Sequence, residues 1–148
     1  MEHRLSPASE SDRKFLFMLH CITMHDVIEA TWGWDEAWQR TDFDRRFAVQ
    51  DVSIIQAINH DVGGLWLEWK SNSLYIHEIQ ILPDYQGKGL GTAVIRDVIG
   101  QTASRMLPVE LSVVPANPCA QHLYERLGFV VTSMESPFIQ MRHDSHLA

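Results

Sequence analysis

The chemistry in this sequence is concentrated in a glycine-rich segment, Gln86-Gly87-Lys88-Gly89-Leu90-Gly91-Thr92. Its three glycines lack side chains, so a ligand could approach the backbone closely at alternate positions. An apolar helix is predicted to begin at Leu90, and the first turn of a helix offers unpaired N–H groups and a positive dipole end, which bind anions. Lys88 adds one cation. These features predict a phosphate or pyrophosphate held at the start of the helix.

Two familiar phosphate-binding loops do not fit this segment. A P-loop requires Ser or Thr directly after its lysine, whereas Gly89 follows Lys88. The dinucleotide fingerprint G-x-G-x-x-G requires glycine at the position that Thr92 occupies. Both interpretations therefore fail.

A second cluster combines aromatic and acidic side chains. Trp32, Trp34 and Trp38 flank Asp35 and Glu36 in the sequence. Aromatic faces attract cations, and the carboxylates would reinforce that attraction, which favours a pocket for a cationic ligand. The alternative is that the tryptophans pack a helix against the sheet.

The elements that position these residues follow from hydrophobic spacing and turn signals. We expect an early strand at His3–Leu5, then a helix from Ser9 or Ser11 to about Ala30 and a second helix from Asp35 to about Phe47. A meander of strands should follow at Val52–Ile58, Gly64–Lys70 and Leu74–Leu82. The turn Asn59-His60-Asp61 would join the first two meander strands. A helix at Leu90–Arg105 and a strand at Val109–Val114 come next. They are followed by a helix at Asn117–Gly128 and by two strands at Phe129–Ser133 and Phe138–Arg142. This order predicts an α/β fold with a mixed sheet.

Composition limits the class of protein. With 148 residues and a net charge of −7, the chain suits one domain over 1–148 and would repel nucleic acid. It has no apolar run of the roughly 18 residues that span a bilayer, and no signal-like apolar region at the N-terminus. Cys21 and Cys119 lack a ligand-like spacing. We expect a cytoplasmic protein with reduced cysteines, no membrane association and no bound metal. His143 and His146 are expected to belong to a frayed terminus.

Two motifs together resemble the GCN5-related N-acetyltransferase (GNAT) superfamily. Gln86–Gly91 matches the acetyl-CoA loop Q/R-x-x-G-x-G/A at every defined position, after a typical Pro83-Asp84-Tyr85. Downstream, Asn117-Pro118 followed by Leu123–Phe129 resembles the late helix and strand of the family. The resemblance implies a GNAT-type fold, with a mixed, mostly antiparallel central sheet flanked by helices, and acetyl-CoA as co-substrate.

The resemblance also implies roles for individual residues. Backbone groups of Ile79, Gln80 and Ile81 would bind the pantetheine arm as an added strand would, and N–H groups from Gly87 to Thr92 would hold the pyrophosphate. Asn117 would contact the pantetheine, and Tyr124 would protonate the leaving thiolate. The simpler alternatives are a helix cap for Asn117 and a buried aromatic for Tyr124.

The group that takes the proton from the acceptor amine stays open. His77 and Glu78 precede the loop, and strand alternation puts them on opposite faces. An imidazole such as that of His77 ordinarily titrates at about pH 6.5, which suits proton transfer at neutral pH. An ordered water is the third alternative. The family commonly forms its acceptor site from the first two helices and their connection, where Trp32, Trp34, Asp35 and Trp38 lie.

Together these features predict an N-acetyltransferase that moves acetyl from acetyl-CoA to a primary amine by direct attack. The acceptor would be a small cationic amine or a peptide amine. The alternative is a catalytically silent acyl-CoA-binding sensor or interaction module. The identity of the amine and the oligomeric state are open, a homodimer included.

Overall fold

The computed structural model describes residues 2–144. Its strands are β1 (Arg4–Pro7), β2 (Asp51–Ala57), β3 (His60–Trp69), β4 (Leu74–Ile81), β5 (Val109–Val113), β6 (Val130–Glu135) and β7 (Phe138–His143). Its helices are α1 (Arg13–Thr31), α2 (Glu36–Val49), α3 (Leu90–Ala103) and α4 (Pro118–Arg126). None of these helices combines the length and apolar character of a membrane span within the described residues.

The strands of the described chain form a seven-stranded sheet in the order β1-β2-β3-β4-β5-β7-β6. The β4–β5 pair is parallel, while β1–β2, β2–β3, β5–β7 and β6–β7 are antiparallel. The predicted α/β class with a mixed, mostly antiparallel sheet is therefore confirmed.

Contacts divide the chain into two compact units. The first comprises the residues up to Leu67 together with Glu78–Leu90, and the second comprises Glu68–His77 and the residues from Gly91 onward. The expectation of one domain over 1–148 stays a prediction.

In the first unit, α1 and α2 pack their apolar side chains against β2 and β3. The core cluster consists of Leu16, Leu19, Phe43, Val52, Ile54 and Trp66. Complete burial of one large apolar side chain contributes about 1.5–3 kcal/mol, so this cluster fixes both helices on the sheet. The arrangement places the inward faces of α1 and α2 where polar residues of β4 can meet them.

The β2–β3 hairpin differs from its prediction. The turn consists of Ile58 and Asn59, which both have positive φ, at 52° and 60°, as the tight turns that match strand twist require. The predicted turn Asn59-His60-Asp61 is therefore wrong, and β3 begins at His60, before Gly64. Gly63 lies inside the strand, and it must be glycine because a Cβ there would stand 2.4 Å from the carbonyl oxygen of Gln80.

In the second unit, the start and end of α4 confirm the sequence signals. The Asn117 side chain accepts a hydrogen bond from the N–H of Ala120, and Pro118 occupies the first turn. Gly128 follows the helix with φ of 98°, which ends it in the left-handed conformation. The next N–H, that of Phe129, then returns to the Tyr124 carbonyl at 3.0 Å.

Candidate active site

The glycine-rich loop connects the end of β4 to α3 in an exposed, braced conformation. The Gln86 amide donates to the carbonyl of Ile81 across 2.7 Å, which ties the two ends of the loop together. Gly87 and Gly89 have φ of 72° and 80°, and a Cβ at either would meet no heavy atom within 4 Å. Lys88 is also exposed, with its amine 5.9 Å from the ring centroid of Tyr85. The loop thus offers open space above its backbone.

The helix after the loop begins as the sequence predicts. Leu90 is 1% exposed and anchors the start of α3, while Gly91 and Thr92 form its first turn and stay partly exposed. The first N–H groups of a helix lack partners within the helix, so this turn is a suitable anion site. The phosphate or pyrophosphate site predicted at this loop stays a prediction.

Glu78 on β4 faces α2 in the first unit. Its carboxylate lies 3.7 Å from the Arg46 guanidinium, and its side chain is 23% exposed. Burial raises the pKa of Glu78 above its ordinary value, while Arg46 and a hydrogen bond from Gln80 oppose that rise and Asp42 adds to it. A carboxylate with a raised pKa is a better proton acceptor near neutral pH than an ordinary one.

His77 has a different environment, in the second unit. Its Nε2 lies 2.7 Å from the Glu68 carboxylate, and its ring centroid lies 4.7 Å from that of Tyr75. The hydrogen bond with His77 lowers the pKa of Glu68. His77 is therefore committed to a carboxylate partner on β3.

The tryptophan cluster is largely exposed. Trp32 and Trp38 are 56% and 61% exposed, so packing against the sheet does not describe them. Trp34 is half-buried, and the centroids of its ring and the His25 ring lie 4.8 Å apart. Its indole N–H donates to Glu36 across 3.0 Å. Asp35 caps α2 by accepting the N–H of Trp38 at 3.0 Å, which accounts for its place in the sequence.

Asn117 and Tyr124 lie on α4 in the second unit. Asn117 is partly buried and Tyr124 is 6% exposed, with its ring 5.4 Å from that of Phe129 in an edge-to-face arrangement. On β4, Gln80 is 2% exposed, whereas Ile79 and Ile81 are half-buried. His143 is partly buried, and His146 lies outside the described residues. Across residues 2–144, no group of three or more His, Cys, Asp or Glu could hold a metal ion.

Sequence reasoning missed a group of buried polar residues beside Glu78. His20 on α1 is 1% exposed, and Gln39 and Arg46 on α2 are 4% and 9% exposed. A signal existed, because Gln39, Phe43 and Arg46 follow helical spacing and all face inward. Polar residues at such positions indicate partners on neighbouring elements, which here are His20 on α1 for Gln39 and Glu78 on β4 for Arg46.

Comparisons with known proteins identify the family of this chain. The profile of the acetyltransferase (GNAT) family matches residues 21–129. Thialysine N-epsilon-acetyltransferase of Bos taurus is 31% identical over 61 residues, which are 40% of this chain and 36% of that protein. An uncharacterised N-acetyltransferase of Methanocaldococcus jannaschii is 39% identical over 67 residues, 45% of this chain and 30% of that protein. These matches span only a minor part of each relative.

Solved structures show the same fold along nearly the whole chain. The PaiA N-acetyltransferase from Thermoplasma acidophilum, in complex with coenzyme A, has a TM-score of 0.79 at 13% identity, covering 97% of this chain and 99% of that one. The spermidine N-acetyltransferase from Vibrio cholerae, in complex with CoA and spermine, has a TM-score of 0.71 at 19% identity, covering 99% and 98%. Since the family profile also covers most of the sequence, the chain belongs to the acetyltransferase (GNAT) family.

Proposed function

We propose that this protein is an N-acetyltransferase that moves acetyl from acetyl-CoA to a primary amine by direct attack. The N–C bond forms, the C–S bond breaks, the amine loses a proton to a base and the thiolate gains one. The observation that carries the proposal is the exposed loop before α3, in which Gly87 and Gly89 adopt left-handed conformations under open space. Family membership and the CoA complexes among the structural relatives support it.

The donor site is assigned to the loop and to the strand before it. Backbone N–H groups from Gly87 to Thr92 would hold the pyrophosphate, because no side chain stands over either left-handed glycine. Backbone groups of Ile79–Ile81 would hold the pantetheine arm. Asn117 uses its side-chain oxygen as a helix cap, so a pantetheine contact would use its amide N–H groups. Tyr124 is assigned the protonation of the departing thiolate.

Glu78 is the base that we propose, in preference to His77 or an ordered water. Its pKa is raised by burial, and it remains 23% exposed, so a water or an amine can reach it. His77 instead holds Glu68 at 2.7 Å. Because a single proton must leave the ammonium before attack, one poised carboxylate is sufficient.

The acceptor that we propose is a small cationic amine. The chain carries a net charge of −7, and Trp32 and Trp38 present exposed ring surface. Exposed aromatic faces attract ammonium groups. Two relatives point to the same class, since one is a thialysine acetyltransferase and the other is a spermidine acetyltransferase with spermine bound.

One experiment separates the enzyme from a silent acyl-CoA-binding module. Acetyl-CoA binding is measured by calorimetry, and release of the CoA thiol is then followed with spermidine, thialysine and a peptide with a free N-terminus. The enzyme binds acetyl-CoA and releases CoA only when an amine is present. Binding without amine-dependent release would indicate the silent module, and no binding would overturn both.

A further inference from the structure

A buried row of hydrogen bonds joins both helices of the first unit to β4. His20 Nε2 lies 2.8 Å from the Gln39 side-chain oxygen, and His20 Nδ1 lies 3.1 Å from the Gln80 side-chain nitrogen. All three side chains are at most 4% exposed. The row therefore runs from α2 through α1 to the strand that carries Glu78.

Burial keeps the His20 ring neutral and the row defines its tautomer. Burial lowers the pKa of His20, Arg46 adds to that effect, and the hydrogen bond with Gln39 and the charge of Asp42 oppose it. A neutral imidazole has one N–H. Because an amide nitrogen only donates, Nδ1 accepts from Gln80, so Nε2 carries the proton and donates it to Gln39.

The Gln80 amide then acts on the proposed base. Gln80 and Glu78 are two residues apart and point to the same face of β4. A hydrogen bond from Gln80 lowers the pKa of Glu78 and so opposes the rise that burial causes. The Gln80 side-chain oxygen is buried without a hydrogen-bond partner. Its amide orientation therefore depends on the contact of the side-chain nitrogen with His20 Nδ1 at 3.1 Å.

We propose that His20 and Gln80 are positioning residues for Glu78: the neutral imidazole fixes the Gln80 amide, and the amide fixes the carboxylate. This inference rests on the proposed function, in which Glu78 is the base. Neither residue needs to touch the substrate through its side chain. The row also explains why three polar side chains replace apolar packing beside Phe17 and Phe43, whose rings lie 6.3 and 6.4 Å from His20.

The charged groups around Glu78 determine what loss of the amide would do. Arg46 from α2 and Gln80 from β4 lower its pKa, whereas Asp42 from α2 raises it, and His20 from α1 is neutral. Removal of the Gln80 N–H groups leaves burial less opposed, so the pKa of Glu78 rises further. The acid limb of kcat/KM against pH should then move to higher pH.

The decisive variant is Gln80→Met, which keeps the length of the side chain and removes its hydrogen bonds. We expect the acid limb to shift upward and kcat at neutral pH to fall by about tenfold or more, since misplacing a catalytic group by about 1 Å can cost about 10²-fold. KM for acetyl-CoA should stay unchanged. Gln56→Met on β2, which removes an exposed hydrogen bond to Asp61, is the matched control and should leave both limbs in place.

Two His20 variants test the other half of the row. His20→Asn keeps an acceptor near the place of Nδ1 and should retain the wild-type acid limb, whereas His20→Phe should shift it as Gln80→Met does. A wild-type profile in Gln80→Met, or equal shifts in both His20 variants, overturns the proposal.

A readout without turnover separates this inference from the proposed function. The Glu78 carboxyl carbon is titrated by NMR, with Glu78→Gln to assign the signal. Its titration should move to higher pH in Gln80→Met and stay in place in Gln56→Met. An unmoved titration overturns the positioning role even if the enzyme is active. A protein that shows the shift but never releases CoA would instead overturn the proposed function.

Discussion

The Glu78 carboxylate on β4 lies 3.7 Å from the guanidinium of Arg46 on α2, and Arg46 in turn donates to Asp42 across 3.0 Å. Asp42 also accepts from Arg45 across 2.7 Å, so one carboxylate bridges two arginines. Only Arg46 is buried, with 11% of its side chain exposed, against 64% for Arg45. A charge affects a neighbouring pKa most where water does not screen it. The two arginines therefore make a matched pair.

Arg46→Gln should move the acid limb of kcat/KM to higher pH, because Arg46 lowers the pKa of Glu78. Arg45→Gln removes the same charge from the same helix and should leave the limb in place. Rates of CoA release across a pH series measure both. Identical profiles for the two variants would contradict a base role for Glu78.

Gly89→Asp should abolish acetyl-CoA binding by placing a carboxylate in the space over the loop. Binding of a ligand to the folded state raises the melting temperature by mass action, so the rise on adding acetyl-CoA measures it. Gly33→Asp is the matched control, because Gly33 has a similar φ of 85° and also lacks a heavy atom within 4 Å of its Cβ position. If Gly89→Asp keeps the wild-type rise, the donor site lies elsewhere.

Tyr124→Phe should lower kcat by about 10²-fold if Tyr124 protonates the thiolate, which is within the usual range of general acid catalysis. Acetyl-CoA affinity should change little. Tyr75→Phe serves as the control, since it also removes a tyrosine hydroxyl, which is partly buried and donates to Ser112 at 3.0 Å. An unchanged kcat in Tyr124→Phe would leave Tyr124 as a packing residue.

Trp38→Ala should raise KM for a cationic amine by about two- to fivefold, since one exposed cation–π contact contributes about 0.5–1 kcal/mol. The melting temperature should stay near the wild-type value, because Trp38 is 61% exposed. Trp69→Ala, which removes a tryptophan stacked by Arg105 at 4.3 Å, is the control and should leave KM unchanged. Equal KM values in all three proteins would exclude Trp38 from the acceptor site.

Local signals in the sequence predicted the elements well. Asp35, Asn117 and Gly128 begin or end helices through contacts within four residues of themselves, so their roles can be inferred from neighbours in the chain. β3 begins at His60, before its predicted start at Gly64, and continues through both Gly63 and Gly64. Side-chain and backbone packing explains the glycines in this strand: a Cβ at Gly63 would meet a carbonyl of β4, and a Cβ at Gly64 would meet the side chains of Leu16 and Trp66.

The pairing of the polar residues beside Glu78 could not be predicted from the sequence, because their partners lie on other elements. Helical spacing puts Gln39 on the same inward face of α2 as Phe43, but nothing local pairs it with His20 on α1, whose Nε2 lies 2.8 Å from its side-chain oxygen. Their third partner, Gln80, is 60 positions from His20. Only the packing of α1 against β4 brings such residues together.

His20 also gives the protein a defined dependence of stability on pH. Its pKa in the folded state lies below the ordinary value of 6.5. Below about pH 6.5 the unfolded chain therefore binds a proton that the native state resists, and the free energy of unfolding falls until the pH reaches the folded pKa. Glu78 acts in the opposite sense, since its folded pKa lies above 4.5, so its contribution to stability decreases as the pH rises from about 4.5 to the folded pKa. Urea unfolding between about pH 5 and about pH 7.5 measures the sum.

The two contributions can be separated by variants that do not titrate. His20→Asn should flatten the loss of stability below about pH 6.5, because asparagine cannot take up the proton. Glu78→Gln should make the same loss steeper, because it removes the opposing contribution and leaves that of His20. Each slope is compared with the wild-type slope, so the other histidines of the chain cancel. A His20→Asn protein whose stability falls as steeply as that of the wild type would show that folding does not lower the pKa of His20.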